Sequence, residues 1–405
     1  MNHLQQLLSY VQQETRRQQK TISLIASENY APVAIRKLVG SELMNKYAEG
    51  TPGNRYYSGC TIIDEIEKAT YTACCELFGG EYANVQPHSG SQANQAVFLA
   101  ALKPGDKILG MNLSSGGHLS HGYGKNFSGI FYHTTSYELD PTTNLIDFSQ
   151  LEDLIKKERP KLVIAGASAY SRQIDFKTFA EIAHRYGALL LADIAHIGGL
   201  VATGLHPSPL PHADFVTGTT HKTLRGPRGG FILTSKEWGK KIDRALMPGI
   251  QGGPHLNSIA AKGACFALAA EPSFIQYQQQ IIRNAQTLVQ ELQHYGFSCL
   301  TGGTDNHLLI LDTYQHKITG KTAEERLEEI GITSSRSAIP GERLSPSIGS
   351  GLRLGTPAVT TRDMKEGEMK KIAQIIFSAL LEQQANKTQL QDKVKTLTQC
   401  FPIPE

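Results

Sequence analysis

Cysteine is scarce. The six thiols, Cys60, Cys74, Cys75, Cys265, Cys299 and Cys400, include no C-x-x-C pair in 405 residues, which excludes a disulfide scaffold and suggests small thiols in a reducing compartment. Excess charge of one sign is also missing. Lys plus Arg is 40 and Asp plus Glu is 37, a balance of +3, and the longest like-charge runs are pairs such as Lys240-Lys241 and Lys370-Lys371. No nucleic-acid-binding face is expected from such a surface. Long apolar runs are absent too: the most apolar stretch, Ala188 to Leu205, is interrupted by Asp193, His196, Gly198, Gly199 and Gly204. Residues 1–20 are amphipathic (Leu4, Leu7, Leu8, Val11) and dotted with Gln, Glu and Arg, so neither a signal peptide nor a membrane span is expected, and the expected location is cytoplasmic. Hydrophobic residues at 40% with 19% charged exclude a disordered chain.

What is present is an alternation of strand and helix patterns. Apolar runs at Lys107–Met111, Ile130–Thr135, Lys161–Gly166, Ala188–Ala192, Asp214–Val216 and Gly230–Thr234 read as strands, with helical periodicity between several of them, as at Phe176–Tyr186. Runs that are apolar on both faces, separated by helices, imply an α/β fold with a mostly parallel sheet. Helices are expected at Leu256–Glu271 and Phe274–Tyr295, followed by an α+β pattern with strands at Phe297–Leu300, His307–Leu311 and Leu352–Leu354 and a long helix from Arg362 to Gln383. We therefore expect two domains: 1–280, an N-terminal arm with a large domain, and 281–405, a small C-terminal domain.

Three features carry chemistry. Asp193 ends the run Leu189-Leu190-Leu191-Ala192, and a carboxylate at the carboxyl end of a parallel strand faces the crevice where open α/β sheets bind ligands. Read alone, Asp193 is equally a turn or helix-capping residue. Lys222, in Thr217-Gly218-Thr219-Thr220-His221-Lys222-Thr223, follows another short apolar run. A lysine buried there would be a costly ammonium and a good imine-forming amine, although most lysines lie on the surface. Third, Gln86-Pro87-His88-Ser89-Gly90-Ser91-Gln92-Ala93-Asn94 runs into the apolar stretch Ala96–Leu99, so small hydroxyl and glycine residues open a helix, an arrangement suited to a phosphate. Together, an anion-binding helix start, a strand-end Asp and a strand-end Lys match the three fixed points of a pyridoxal 5'-phosphate site: phosphate, pyridinium nitrogen and Schiff base. No metal-ligand spacing, Walker loop or nucleophile elbow competes.

Longer strings then resemble one family. Leu24-Ile25-Ala26-Ser27-Glu28-Asn29-Tyr30, Asn45-Lys46-Tyr47-Ala48-Glu49-Gly50, Arg55-Tyr56-Tyr57-Ser58-Gly59-Cys60, the Gln86–Asn94 segment, Gly116-Gly117-His118, Thr220-His221-Lys222-Thr223-Leu224-Arg225-Gly226, Gln251-Gly252-Gly253-Pro254 and Leu352-Arg353-Leu354-Gly355 resemble serine hydroxymethyltransferase, in that family's order. The resemblance implies the aminotransferase-like fold type I and an obligate homodimer, or a tetramer of paired dimers, with active sites shared between subunits. It implies that Lys222 carries the Schiff base, Asp193 meets the pyridinium nitrogen and His118 stacks on the ring. Ser89, Gly90 and Ser91 would hold the phosphate, with Gly252 and Gly253 reaching it from the partner chain. Ser168 and His196 would lie near the phenolic oxygen. Ser27 and Arg353 would grip the substrate carboxylate. Glu49 would serve as the acid/base, with Tyr47 and Tyr57 lining the same pocket from the other subunit, and Thr219, His221 and Arg228 would surround the lysine. The implied reaction interconverts serine and glycine, with tetrahydrofolate as the one-carbon co-substrate bound near Leu113 and Gly117.

The chain also departs from the family pattern. Ser337 stands where an asparagine usually reads the pterin, and a hydroxyl lacks the paired donor and acceptor of an amide. Met247, Asn257, Ser115 and Gly218 are further departures, which we group on the folate side. They raise alternatives with another acceptor: a β-hydroxy amino-acid aldolase, a transaldolase or an α-methylserine hydroxymethyltransferase. A protein that binds the cofactor without catalysis is a third reading, opposed by the presence of Lys222, Asp193, Glu49 and Arg353.

Overall fold

The computed structural model describes residues 2–342 and 344–404. The chain divides into two compact units, residues 31–279 and residues 1–30 with 280–405.

In the large unit, the described residues form a seven-stranded sheet: β1 (Tyr82–Asn84), β2 (Lys107–Met111), β3 (His133–Tyr137), β4 (Leu162–Gly166), β5 (Leu189–Asp193), β6 (Phe215–Thr219) and β7 (Gly230–Thr234). The spatial order is β1-β7-β6-β5-β4-β2-β3. Only β7 runs against its neighbours, pairing antiparallel with β1 and β6, while all other pairs are parallel. Strands β4, β6 and β7 are buried along their whole length, as expected for strands covered on both faces, so their apolar runs do not alternate. One face packs Val97, Phe98, Ile108, Ile164, Leu191, Phe215 and Ile232 into a continuous core.

Three helices bear on the site. α1 (Thr61–Phe78) ends at Gly79, whose φ of +72° allows the left-handed stop. α2 (Gly90–Ala101) begins where the Ser89 hydroxyl accepts the Gln92 N–H at 3.3 Å, and α3 (Leu256–Ala269) is an apolar helix that buries Lys262 among Ile259, Cys265 and Phe266.

In the small unit, β8 (Ser298–Cys299), β9 (Leu308–Asp312), β10 (Ser335–Ser337) and β11 (Gly351–Gly355) form an antiparallel sheet in the order β8-β9-β11-β10. Residues 1–30, assigned by sequence to the N-terminal domain, fold with this unit. Ile22 and Ser23 pair in parallel with Ile332 and Thr333, and Ile22 and Leu24 are buried in the core with Leu292, Leu309, Leu352 and Ile372. The reason is chemical as well as geometric. The Arg362 guanidinium is spent on four carbonyls, those of Gln19, Thr21, Thr398 and Phe401, which ties both chain ends to one buried cation.

Two sequence-predicted elements change. The helix expected from Arg362 starts four residues later, at Glu366, because Asp363 adopts φ +60°, and Pro357–Thr361 forms a separate short helix before it. The expected strand from Ile130 starts instead at His133. Phe127–Phe131 is a helical turn capped by Asn126, whose side chain accepts the Ser128 N–H at 3.1 Å. All six cysteines are free. No described helix is long and apolar enough to cross a membrane.

Candidate active site

Asp193 is the last residue of β5 and is 9% exposed. Burial alone would raise its pKa, but the hydrogen bond from His121 Nε2, electrostatic attraction to the nearby His121 and His118 and the hydrogen bond from Asn94 more than reverse this, so the carboxyl lies well below the usual range. His121 Nε2 and Asn94 Nδ2 both reach Asp193 Oδ2 at 2.9 Å, and the Ala195 N–H meets Oδ1 at 3.0 Å. The His118 backbone N–H donates to His121 Nδ1 at 3.3 Å, which leaves Nε2 to carry the proton given to Asp193. Asn94 is oriented in turn, because Thr217 donates to its Oδ1 at 2.6 Å and its own Nδ2 reaches Ser120 Oγ at 2.8 Å. The result is a rigid carboxylate, ionised at neutral pH, at the carboxyl edge of the sheet.

Lys222, also 9% exposed, follows the last residue of β6, Thr219, by three positions. Its flanks are pinned. Thr220 Oγ1 donates to the Pro227 carbonyl at 2.6 Å, and Thr223 Oγ1 donates to the His196 carbonyl at 3.0 Å while accepting the Gly199 N–H at 2.9 Å. Thr219 Oγ1 donates to the Ala195 carbonyl at 3.1 Å, linking the β6 end to the turn after Asp193. A Cβ on Gly90 would lie 2.6 Å from Thr219 Cγ2, so glycine is what lets the start of α2 sit against β6. The Ser168 N–H donates to the Gly116 carbonyl at 2.7 Å, which brings the loop after β4 onto the loop after β2 that carries His118. His118 Nδ1 lies 2.8 Å from Ser120 Oγ, one step from Asn94. The structure thus places Ser89, Gly90, Ser91, His118, Ser168, Asp193, His196, Thr219 and Lys222 on the strand ends, loops and helix start at the carboxyl edge of the sheet. The donor set fits pyridoxal phosphate: a fixed carboxylate for a protonated ring nitrogen, a buried primary amine for the aldehyde, and an open helix start for the phosphate.

Glu49 belongs to a second block of the same unit. Arg55 Nη1 donates to the carbonyls on either side of it, Ala48 at 3.0 Å and Gly50 at 2.8 Å, while Nε and Nη2 pair with Asp64 and Glu67 of α1 at 2.8 and 2.6 Å. Tyr47 and Tyr57 meet edge to face at 5.3 Å, and the negative charge of Glu49 raises the Tyr57 pKa. A Cβ on Gly252 would approach Glu49 Oε1 to 3.2 Å and one on Gly253 the Tyr47 ring to 2.9 Å, so both glycines join this block. Tyr47, Tyr56 and Tyr57 are all exposed.

In the small unit, Arg353 lies on β11, register-paired with Ser335 and Ile310, and its Nε donates to Ser335 Oγ at 3.2 Å. The segment ending in Ser27 runs beside it: the Gly355 N–H donates to the Leu24 carbonyl at 2.7 Å, and a Cβ on Gly355 would strike Ala26 Cα at 2.5 Å. Ser337 ends β10, its hydroxyl donating to the Ala338 carbonyl at 2.9 Å. Leu113 joins His118, Met111 and Tyr123 around a cavity of about 170 Å³, next to Gly117, whose N–H donates to the Asn112 carbonyl at 2.9 Å.

The sequence alone gives no role to Asn94, Ser120, His121 or Thr217. Together these residues hold Asp193. Gly218 was grouped with the folate-side departures, but it lies in β6 opposite Phe231, where a Cβ would meet the ring at 2.3 Å. That departure is a packing match to Phe231, which itself stacks on Phe78 at 5.1 Å.

A chain that keeps one carboxylate ionised against burial, on the sheet edge where it buries an amine, is built to hold a cationic aromatic aldehyde. On this sheet order the class is the fold-type I pyridoxal-phosphate enzymes. Within that class, the serine hydroxymethyltransferase family model matches residues 2–376, and the chain belongs to that family. Its members are pyridoxal-phosphate-dependent transferases of one-carbon metabolism that interconvert serine and glycine.

Two histidines beside the site give it a pH signature. Burial, with Lys222 and Arg228 nearby, lowers the His221 pKa to about 3, and its Nδ1 is buried without a hydrogen-bond partner. Burial and the facing His255 ring lower that of His88 to about 4. Both are neutral when folded, whereas an unfolded histidine titrates near 6.5, so below that pH the unfolded state binds more protons. Stability is therefore expected to fall as pH drops from about 6.5 toward 4, each histidine contributing up to about 1.4 kcal/mol per pH unit. Urea midpoints measured from pH 7 to 4 check this. His221→Asn should flatten the slope, and an unchanged slope would contradict the assignment.

Proposed function

We propose that this protein transfers the hydroxymethyl carbon of serine to tetrahydrofolate, releasing glycine. The observation that carries the reading is the clamped Asp193 carboxylate on the same sheet edge as buried Lys222. When bound, pyridoxal phosphate supplies the electron sink that weakens the bond between Cα and the hydroxymethyl carbon.

The remaining work falls to the protein's own groups. With the cofactor bound, Lys222 would offer its amine to the aldehyde and Asp193 would accept a hydrogen bond from the ring nitrogen, holding a proton there. His118 would stack on the ring, while Ser168 and His196 would serve the phenolic oxygen. Ser89, Gly90 and Ser91 would hold the phosphate through hydroxyls and first-turn N–H groups. Thr219 and His221 orient the lysine, and the neutral state of His221 keeps a second cation away from it. Arg353, with Ser27, takes the substrate carboxylate in a charge-assisted fork. Glu49 moves the proton of the hydroxymethyl oxygen, and Tyr57 is hydrogen-bonded to it.

The exposed Tyr47, Tyr56 and Tyr57, beside a Glu49 loop that Arg55 holds rigid, support a homodimer. In that assembly the block of Tyr47, Glu49, Tyr57, Gly252 and Gly253 completes the partner's site. Free thiols agree with a reducing, cytoplasmic setting.

Ser337 favours a second reading, a paralogous aldolase, transaldolase or α-methylserine enzyme, because its hydroxyl is already spent on the Ala338 carbonyl. Serine cleavage with and without tetrahydrofolate separates the two. Serine hydroxymethyl transfer requires strong folate stimulation, folate-indifferent cleavage would leave the aldolase or transaldolase reading, and a preference for α-methylserine over serine would mark the α-methylserine enzyme. In the same assay Ser337→Asn is expected to tighten tetrahydrofolate binding to the glycine complex by roughly ten-fold, the value of one restored amide contact, with serine affinity unchanged. Calorimetric titration of both forms checks this, and equal folate constants would remove Ser337 from the folate site.

A further inference from the structure

Lys262 is a lysine that the proposed mechanism does not use. It sits on α3, 1% exposed, and its ammonium donates to three backbone carbonyls, Val85 at 2.7 Å and Pro87 and Gly230 at 2.9 Å each. Among the described residues it makes no ion pair. The carbonyls belong to the ends of the segments that build the start of α2. Pro87 lies two residues before Ser89 and also accepts the Gly230 N–H at 3.0 Å, and a Cβ on Gly230 would strike the Ser89 carbonyl at 2.4 Å. Gly229 is required for the same approach, since a Cβ there would lie 2.2 Å from Lys262 Cε.

The geometry and the burial pull in opposite directions. Three acceptors around one nitrogen use all three protons of an ammonium, whereas a neutral amine would turn its lone pair onto a carbonyl. Yet a fully buried ammonium without a carboxylate partner is expensive. An anion close to the same loop would resolve that conflict. The loop is the one that opens α2.

We propose that Lys262 is the positioning cation of the cofactor's phosphate: from behind the Val85–Ser89 loop it fixes the α2 start and supplies the positive charge that the phosphate dianion balances. This rests on the reading that the phosphate sits at Ser89, Gly90 and Ser91. The groups facing Lys262 leave this task to it. On α1, Cys74 is a buried thiol whose pKa burial raises well above its ordinary value, and Glu67 is already paired with Arg55 at 2.6 Å. On the loop, His88 feels the charge of Lys262 and has its pKa lowered to about 4, mainly by burial and by His255. On α3 itself, burial raises the Cys265 thiol to about 12. Burial brings Lys262 down to about 7 when no anion is present, so binding a dianion at pH 8 should return its proton.

The test compares pyridoxal 5'-phosphate with pyridoxal, which has the same ring and aldehyde but no phosphate, as ligands of the full-length protein stripped of cofactor. Wild type should prefer the phosphorylated form strongly. In Lys262→Met that preference should shrink by roughly ten- to hundred-fold, while pyridoxal binds within about three-fold of wild type. Equal weakening of both ligands would mean a merely structural lysine, and an unchanged preference would mean no role; either overturns the proposal. A wild type with no preference for the phosphate would instead overturn the phosphate assignment beneath it. Should the variant not fold, the wild-type preference measured from pH 7.5 to 9 decides. The phosphate stays dianionic there and the pyridoxal reference cancels ring, aldehyde and Lys222 titrations, so the preference should fall several-fold as Lys262 loses its proton in the empty site. A flat profile would overturn the proposal.

Discussion

Lys222→Ala is expected to abolish covalent attachment of pyridoxal phosphate and to lower serine turnover by at least ~10³-fold, the loss typical of removing a covalent catalyst. The expectation follows from where the lysine sits. It is buried, the hydroxyls of Thr220 and Thr223 on either side of it bond to the Pro227 and His196 carbonyls, and Thr219 ties the preceding strand end to the turn that carries Asp193. Among the described residues, no other lysine of the unit combines burial with a strand-end position on this edge: Lys262, on α3, is saturated by the Val85, Pro87 and Gly230 carbonyls. Borohydride treatment followed by peptide mapping should label the Lys222 peptide in wild type and nothing in the variant. Noncovalent binding should survive, because Asp193 and the α2 start are untouched. A labelled peptide elsewhere, or activity within ten-fold of wild type, would remove Lys222 from its role.

The parts of the site legible in the sequence were those whose meaning is local. Asp193 and Lys222 follow apolar strands directly, and Ser89-Gly90-Ser91 opens an apolar helix, so each could be read within one element. What supports them could not. Asn94 and Asp193 are 99 positions apart and His121 and Asp193 are 72 apart, so the clamp on the carboxylate exists only once β5 and the loop after β2 are brought together. Gly218 had the same difficulty in reverse: its cause, the Phe231 ring, lies across a strand pair, and without it the glycine read as a functional departure. Lys262 is one basic residue in an apolar helix, indistinguishable in sequence from a lysine that reaches out to water. The chain ends follow the same logic, since a single buried guanidinium at Arg362 draws residues 19 and 21 to residues 398 and 401. Local periodicity located elements well but overextended them where a side chain cut the pattern, as Asn126 does before Phe127 and Arg362 with Asp363 do before Glu366.

Arg353 gives the second large effect, and it should appear in a different constant. Arg353 follows Leu352 and precedes Leu354 on β11, both fully buried on the opposite face of the strand, and burial lowers the arginine's own pKa, although it remains charged at any physiological pH. Ser335 accepts from Nε at 3.2 Å, which orients the planar group. A desolvated cation of this kind repays its cost when a carboxylate arrives, because charge-assisted bonds made inside a protein are stronger than those it leaves in water. Arg353→Ala is therefore expected to raise the serine KM by ~10²-fold or more, corresponding to about 3 kcal/mol for a lost bidentate contact. Pyridoxal phosphate affinity should be unchanged, because the hydrogen bonds that fix Asp193, Thr219 and the α2 start come from other side chains. Arg353→Lys separates charge from shape: a point charge that cannot form the planar fork should recover only a minor part of the loss. Titrating serine and glycine against the three proteins reads the effect directly. A serine KM within three-fold of wild type in Arg353→Ala would show that the substrate carboxylate is held elsewhere, whereas a parallel loss of cofactor binding would place Arg353 in the architecture of the site rather than in contact with substrate.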